Sequence, residues 1–255
     1  MKKALYRCNQ IVVILLVVLV SFAFTKDKNI TVWLIGDSTC AKKEVKAYPE
    51  TGWGMPFTYF FDSTVEVENR ALNGRSTKSF IAENKWQPVL DNLQEGDYVF
   101  IQFGHNDEVQ TKATSTKPNE FKNYLTRYVS ETRARKAIAV LITPVARRSF
   151  DSTGKIVDTH KEYAEIVRIV AMEQKVPLID LDKKSMELLQ QFGSENSKLL
   201  FNHLAVGEHP NYPDGKNDNT HFNELGARRM AEIVLAEIRN LQLDLALRIL
   251  KPGKK

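Results

Sequence analysis

Short apolar runs and amphipathic segments alternate along most of the chain. The apolar runs are rich in β-branched residues and occupy positions 30–36, 65–71, 97–104, 136–144 and 176–181. Apolar residues recur three and four positions apart over 121–135, 160–174 and 222–242, which is the spacing of a helix with one buried face. The pattern predicts strands that alternate with helices, and hence a parallel sheet covered on both faces.

The mature chain reads as one α/β domain. It contains no Pro/Ser-rich linker, no repeat and no low-complexity stretch. A length of 255 residues, of which 43% are hydrophobic, is ordinary for a globular protein with one sizeable core. We therefore expect a single domain over 26–255, after an N-terminal segment of different character.

The first 25 residues have the pattern of a secretory signal peptide. Lys2, Lys3 and Arg7 precede an almost wholly apolar run at 11–24, which ends in the small-flanked "SFA". The run is short for a membrane span, so an uncleaved anchor is the weaker interpretation. We expect cleavage near residues 23–25, export to the periplasm or the extracellular space, and no membrane association afterwards.

Cleavage would change the charge and the cysteine count. The formal charge of +5 includes three cations of the predicted signal peptide, so the mature chain carries about +2. No clustered basic face is visible in the sequence, and the prediction is that nucleic acid is not a partner. Only Cys40 would remain, which excludes an internal disulfide.

Polar clusters follow three of the predicted strands. They are "GDST" at 36–39, "NGRSTKSF" at 73–80 and "GHND" at 104–107, and a fourth cluster, "DNTH", lies at 218–221 before the last helix. In parallel α/β sheets, ligands bind beyond the carboxyl ends of the strands. We expect the four clusters to converge there.

The residue types in these clusters fit acyl transfer. Ser38 can act as a nucleophile if a base takes its proton, His221 is the natural base, and Asp218 can fix the tautomer of His221. The backbone N–H groups of Ser38 and Gly74 and the side-chain amide of Asn106 are candidate donors to an oxyanion. A glycine at position 74 would let the backbone approach the substrate closely.

Each residue also has a structural interpretation. Ser38 could be a turn or helix-cap residue, and Asp218 a cap or Asx-turn in a polar loop before the last helix. These interpretations leave the other clusters as coincidence, so we favour catalysis. His160, His203 and His209 show no zinc-binding spacing. We expect them to be loop residues or, for His209, a substrate contact.

The quoted motifs carry a resemblance to a known family. "GDS" with Ser38, "NGRS" with Gly74, "GHND" with Asn106 and the Asp218–His221 pair resemble the four sequence blocks of the SGNH (GDSL-type) hydrolases. "TGWG", "ITPVARRSFDSTGKIVDTH" and "YPDGKNDNTHFNELGA" are similar to the rhamnogalacturonan acetylesterase group of that superfamily. Met55 departs from the group, where we expect Gln after the second Gly of "TGWG".

The resemblance implies a three-layer α/β/α sandwich, flavodoxin-like, around a five-stranded parallel sheet. It further implies a carboxylic ester hydrolase with no metal and no cofactor, which removes acetyl groups from pectin-type polysaccharide. Ser38, Gly74 and Asn106 would share the oxyanion. We expect a monomer whose partner is an acetylated polysaccharide or oligosaccharide.

Several alternatives stay open. A lipase, lysophospholipase, thioesterase or xylan acetylesterase would use the same machinery, whereas a non-catalytic glycan-binding protein would not need it. The polar stretch between 201 and 221 favours a sugar over a long acyl chain. Arg147 and Arg148 follow the fourth strand and could bind uronate carboxylates or form ion pairs within the protein. Trp53 could stack on a sugar, although core packing is favoured.

Overall fold

The structure, a computed structural model, describes residues 29–251. The predicted signal peptide at 1–25 lies outside the described residues. Five parallel strands form the main sheet, in the order β2-β1-β3-β4-β5. They are β1 (Ile30–Gly36), β2 (Val65–Asn69), β3 (Tyr98–Gln102), β4 (Ile138–Ile142) and β5 (Leu178–Ile179). The predicted α/β class and five-stranded parallel sheet are confirmed.

Helices cover the sheet. They are α1 (Gly54–Phe57), α2 (Thr77–Ala82), α3 (Gln87–Asn92), α4 (Pro118–Ala134), α5 (Lys161–Gln174), α6 (Leu181–Asn196) and α7 (Glu224–Asn240). Short 3-10 turns occupy Val45–Ala47, Thr58–Phe60, Ser197–Leu200 and Asp244–Arg248. The three long predicted helices correspond to α4, α5 and α7. Between residues 29 and 251, no helix is both long and apolar enough to cross a membrane.

Two hydrophobic cores lie on opposite faces of the sheet. Successive strand residues point to opposite faces, so Val32 and Leu34 of β1 enter one core and Trp33 and Ile35 the other. The first core is completed by α1, α6 and α7, and the second by α2, α3, α4 and α5. Both faces of β1, β3 and β4 are mostly buried, which explains why their sequences are almost continuously apolar, whereas the edge strand β2 alternates Val with Glu. The result is the predicted three-layer sandwich.

Helix α6 was not predicted from the periodicity. Asp180 caps its N-terminus by accepting a hydrogen bond from the Lys183 N–H. The buried face of the helix includes Asp182 and Ser185 beside Leu181 and Leu189. These buried polar residues interrupt the apolar spacing on which the prediction depends.

The polar loop expected around Asp218 is instead part of a β-hairpin. Strands β6 (Phe201–Leu204) and β7 (Lys216–Phe222) pair antiparallel in a second, two-stranded sheet. The rings of Phe201 and Phe222 lie 5.0 Å apart and anchor the hairpin to the first core. The prediction of a loop was wrong because β7 is mostly polar and partly exposed, so it lacks the apolar alternation of a core strand.

Candidate active site

The turn after β1 presents Ser38 at the carboxyl edge of the sheet. Asp37 is buried, and its Oδ1 accepts hydrogen bonds from the Thr39 N–H (2.9 Å) and hydroxyl (2.7 Å). Gln102, at the end of β3, donates from Nε2 to the Thr39 hydroxyl at 2.6 Å. These bonds fix the backbone on both sides of Ser38 and leave its own side chain at the surface of the site.

The structure brings Ser38 and His221 into contact across 183 residues of sequence. Ser38 Oγ lies 2.9 Å from His221 Nε2, and His221 Nδ1 lies 2.8 Å from Asp218 Oδ2. An ionised carboxylate can only accept, so Nδ1 carries the ring proton and Nε2 presents its lone pair to the serine hydroxyl. The arrangement can draw the proton from Ser38 and hold it on His221.

Backbone N–H groups of its own strand hold the carboxylate of Asp218 in place. Its Oδ1 accepts hydrogen bonds from the backbone N–H groups of Thr220 (2.8 Å) and His221 (2.9 Å). Burial alone would raise the pKa of Asp218, but the hydrogen bonds from the His221 ring and backbone outweigh it and lower the pKa well below its usual range. The carboxylate is therefore ionised throughout the physiological pH range.

The "TGWG" segment is hydrogen-bonded both to the turn that carries Ser38 and to the strand that carries His221. The Thr51 N–H donates to the Phe222 carbonyl oxygen at 2.8 Å, and the Trp53 N–H donates to the Thr39 carbonyl oxygen at 2.9 Å. A Cβ on Gly52 would overlap the backbone of Ala41, so only glycine allows this approach. One short segment thus connects the neighbour of Ser38 to the neighbour of His221.

Gly74 and Asn106 lie on the other side of Ser38. Gly74 has φ of +76°, and a Cβ there would meet no protein atom within 4 Å. Within the protein, the requirement for glycine at this position therefore comes from the left-handed backbone conformation. Asn106 Nδ2 donates to the Arg75 carbonyl oxygen at 3.0 Å, which leaves its second N–H for another acceptor.

A cavity of about 400 Å³ joins these groups. It is lined by Ser38, Glu50, Asn73, Gly74, His105, Asn106, Lys112, Arg147, Thr220 and His221. None of these lining residues is aliphatic, Phe, Tyr or Trp. Four of the five residues predicted for catalysis and oxyanion binding line this cavity, and the fifth, Asp218, contacts one of them, His221.

Sequence reasoning did not find Lys43, Glu50 and Lys112. Lys43 has a side chain only 2% exposed, and its Nζ lies 2.7 Å from Glu50 Oε1 and 2.8 Å from Asn73 Oδ1. Lys112 Nζ donates to Asn106 Oδ1 at 2.9 Å. No motif spacing identifies a lysine of this kind, because its partners come from distant segments.

One group of potential metal ligands exists among residues 29–251. Glu50, Asp218 and His221 each place one ligand atom within 4.8 Å of the others. Glu50 is paired with Lys43, and Asp218 with His221. Each of the three groups therefore has a partner within the protein.

Arg147 and Arg148 have different surroundings. Arg147 lines the cavity, where its guanidinium donates to the Thr220 hydroxyl at 2.8 Å and to Glu108 Oε1 at 3.1 Å. Arg148 does not line it. Its three donor nitrogens contact the Ser197 hydroxyl, Asn219 Oδ1 and the Ser194 carbonyl oxygen, so it ties the end of α6 to β7.

His209 lies in the loop between β6 and β7, outside the cavity lining. Its Nδ1 accepts from the Asn211 N–H at 3.1 Å, and its ring is 5.5 Å from that of Tyr48. His203 and His160 have separate partners: His203 Nε2 lies 2.9 Å from Asn219 Oδ1, and His160 Nδ1 lies 2.8 Å from Glu108 Oε2.

Trp53 and Met55 are packing residues. Trp53 is fully buried and donates from Nε1 to Gln102 Oε1 at 2.5 Å, so it offers no face to a sugar. Met55 accepts the Lys43 N–H on its sulfur at 3.3 Å. The departure at Met55 thus affects the segment that carries Lys43, where a Gln side chain could supply an oxygen acceptor instead.

Comparison with known proteins identifies the family. Residues 34–229 match the GDSL-like lipase/acylhydrolase family. The chain belongs to this family. It is 42% identical over 219 residues to rhamnogalacturonan acetylesterase RhgT of Bacillus subtilis (strain 168), with 86% of this chain and 93% of RhgT covered. It is 34% identical over 226 residues to the probable rhamnogalacturonan acetylesterase YesY of the same organism, with 86% and 97% covered.

Solved structures show the same GDSL-like fold. A crystal structure of the Bacillus subtilis protein YXIM superposes with a TM-score of 0.74 at 25% identity, and the match covers 85% of this chain and 58% of that one. Axe2, an acetylxylan esterase from Geobacillus stearothermophilus, gives a TM-score of 0.58 at 17% identity over 83% of this chain and 94% of Axe2. The predicted class, a carboxylic ester hydrolase of the GDSL family, is confirmed by these relationships.

Proposed function

We propose that the protein is an exported, monomeric serine esterase that removes O-acetyl groups from rhamnogalacturonan through an acyl-Ser38 intermediate. The observation that carries the proposal is the continuous relay from Ser38 Oγ through His221 to Asp218, with contacts of 2.9 and 2.8 Å. The 42% identity to a rhamnogalacturonan acetylesterase over most of both chains supports the choice of substrate.

The proposed reaction has two halves. Ser38 Oγ attacks the acetyl carbonyl carbon while its proton passes to His221 Nε2, and the sugar oxygen then leaves with that proton. Water next attacks the acetyl-serine with His221 as base, and acetate departs as Ser38 regains its proton. Asp218 stabilises the imidazolium in both halves because its carboxylate faces Nδ1.

The oxyanion of each tetrahedral intermediate forms beside Ser38. Three residues that line the cavity offer donors to this oxyanion. They are Ser38 and Gly74, through their backbone N–H groups, and Asn106, through its free side-chain N–H. Such donors act in the transition state because they are fixed before charge develops. In this structure the hydrogen bond from Asn106 Nδ2 to the Arg75 carbonyl oxygen holds the Asn106 amide.

The cavity lining supports a short acyl group on a sugar. A long acyl chain needs an extended apolar pocket, and none of the residues that line this cavity is aliphatic or aromatic apart from His. Arg147, a cation that lines the cavity, suits a polysaccharide that carries uronate carboxylates. A lipase or long-chain thioesterase is less well matched to such a site.

Acetate release from a panel of acetylated polysaccharides tests the substrate. We expect rhamnogalacturonan to be deacetylated faster than xylan, and p-nitrophenyl acetate to be hydrolysed faster than long-chain p-nitrophenyl esters. Ser38→Ala should abolish release, whereas Ser152→Ala, on an exposed loop, should not. A preference for xylan or for long acyl chains would overturn the substrate, and full activity of Ser38→Ala would overturn the mechanism.

Export has its own test. If the first 25 residues are a signal peptide, the N-terminus of the protein recovered from its native host should begin near residues 23–26. An intact N-terminus on protein recovered with the membrane would contradict export by cleavage.

A further inference from the structure

Lys112 contacts the side chain that we assign to the oxyanion site. It follows β3 in the same loop as Asn106, is exposed, and lines the catalytic cavity. Its Nζ donates to Asn106 Oδ1 at 2.9 Å, and Asn106 itself is buried. The side chain of Lys112 forms no ion pair with a described residue, whereas the buried Lys43 is paired with Glu50.

Two partners together fix the orientation of the Asn106 amide. The ammonium of Lys112 can only donate, and the carbonyl oxygen of Arg75 can only accept. A flipped amide would set its NH₂ against the ammonium and its oxygen against the Arg75 oxygen, which is unfavourable at both ends. The amide nitrogen is therefore held away from Lys112, and one of its two N–H groups remains free.

Lys112 also strengthens that free donor. A hydrogen bond from a cation to an amide oxygen draws electron density from the nitrogen, and chains of hydrogen bonds polarise one another. The free N–H becomes a better donor to an acceptor that carries negative charge. This gain is largest in the transition state, when the carbonyl oxygen of the substrate becomes an oxyanion.

We propose that Lys112 is a positioning residue that orients and polarises the Asn106 amide for oxyanion binding. The proposal rests on the proposed acyl transfer at Ser38 and adds a group to it. It predicts an effect on the chemical step that is the same for any ester, since Lys112 acts through Asn106 and not through the sugar.

Lys112→Met, assayed with p-nitrophenyl acetate, tests this effect. Loss of an oxyanion donor costs about 10²–10³ in kcat, so loss of its orientation alone should lower kcat by roughly tenfold and change KM by less than about twofold. Lys112→Arg should restore most of the activity because it keeps a cationic donor. Lys85→Met, an exposed lysine outside the cavity lining, is the matched control and should match the wild type.

A double-mutant cycle with Asn106→Ala separates a positioning role from any other. If Lys112 acts through Asn106, Lys112→Met should cause no further loss of kcat in the Asn106→Ala background. An equal loss in both backgrounds would overturn the proposal. So would a wild-type kcat for Lys112→Met.

Substrate binding by Lys112 is the remaining outcome. A higher KM for acetylated rhamnogalacturonan, with p-nitrophenyl acetate unaffected, would show that the lysine binds a carboxylate of the substrate, and this would also overturn the proposal. Failure of the proposed function gives a different result from failure of the Lys112 proposal. If Ser38 is not the nucleophile, Ser38→Ala retains activity, whatever the residue at position 112.

Discussion

The two oxygens of Asp218 have different partners. Oδ2 accepts from the His221 ring, and Oδ1 accepts from the backbone N–H groups of Thr220 and His221. One side chain therefore shapes the local backbone and also fixes the imidazole. Asp218 therefore combines the Asx-turn considered from the sequence with the contact to His221 that we propose for catalysis.

Asp218→Asn separates the two roles. An Asn carbonyl oxygen can still accept the backbone N–H groups, but its NH₂ cannot accept the proton of His221 Nδ1. The ring should then adopt the other tautomer, with Nε2 protonated and unable to act as a base. We expect kcat with p-nitrophenyl acetate to fall by about 10³–10⁴ with little change in melting temperature.

Asn240→Asp, on the exposed end of α7, serves as the reciprocal control for an Asn/Asp exchange and should keep full activity. A kcat for Asp218→Asn within about tenfold of the wild type would mean that the carboxylate is not needed to orient His221.

At the scale of single residues, motifs in the sequence predicted side chains that the structure places in contact. Ser38, Asp218 and His221 have residue types that only a few reactions require together. Lys112 could not be found, because a lysine in a polar loop is ordinary and its significance is its contact with Asn106. Motifs reveal reacting groups, whereas the residues that orient them depend on tertiary contacts.

At the scale of elements, prediction succeeded where apolar residues recur with the regular spacing of a strand or a helix. Strand β1 was predicted with the observed ends because both of its faces are apolar and buried. Helix α6 and strand β7 were missed because each mixes polar residues into its packed face. The missed strand carries Asp218 and His221, so the pair that we propose for catalysis lies on a hairpin whose position the sequence pattern could not supply.

Substitution of Arg148 tests how much its hydrogen bonds contribute to holding that hairpin in place. Its guanidinium contacts Ser194 and Ser197 at the end of α6 and Asn219 in β7. Hydrogen bonds to a charged group contribute about 1.5–3 kcal/mol, so Arg148→Met should lower the free energy of unfolding by about 2 kcal/mol. Urea unfolding measures this change. The KM for acetylated rhamnogalacturonan should stay within about twofold of the wild type.

Two further variants make the result specific. Arg239→Met, on the exposed face of α7, should leave stability unchanged, and Arg147→Met, in the cavity, should raise KM for the anionic polysaccharide. If Arg148→Met instead raises KM and leaves stability intact, Arg148 binds substrate and the structural role assigned to it is wrong.

At the scale of the whole molecule, strand order places the site. β1 and β3 are neighbours in the sheet, so the segments that carry Ser38 and Asn106 emerge side by side from adjacent carboxyl ends. This convergence follows from a parallel sheet and could be predicted. The approach of β7 could not, since it depends on backbone hydrogen bonds from Thr51 and Arg148 to the hairpin.

The pH dependence of the free energy of unfolding reports on Asp107, which is fully buried and follows Asn106 in the segment after β3. Burial raises the pKa of Asp107 to about 7, although hydrogen bonds from Thr77 and Thr116 oppose the rise. Between pH 4 and 7 the folded state thus retains a proton that the unfolded chain has lost, so stability falls as pH rises. The loss should reach about 4 kcal/mol by pH 7 and little more above it.

Asp107→Asn removes this titration and isolates it from other groups. Urea unfolding of both proteins from pH 4 to 8 should show that the wild type loses stability relative to the variant as pH rises, mostly below pH 7. Asp218 has the opposite sign, because its lowered pKa contributes stability above pH 4 that is lost on acidification. A constant difference between wild type and Asp107→Asn across this range would mean that Asp107 is already ionised in the fold, with its three hydroxyl and amide donors outweighing burial.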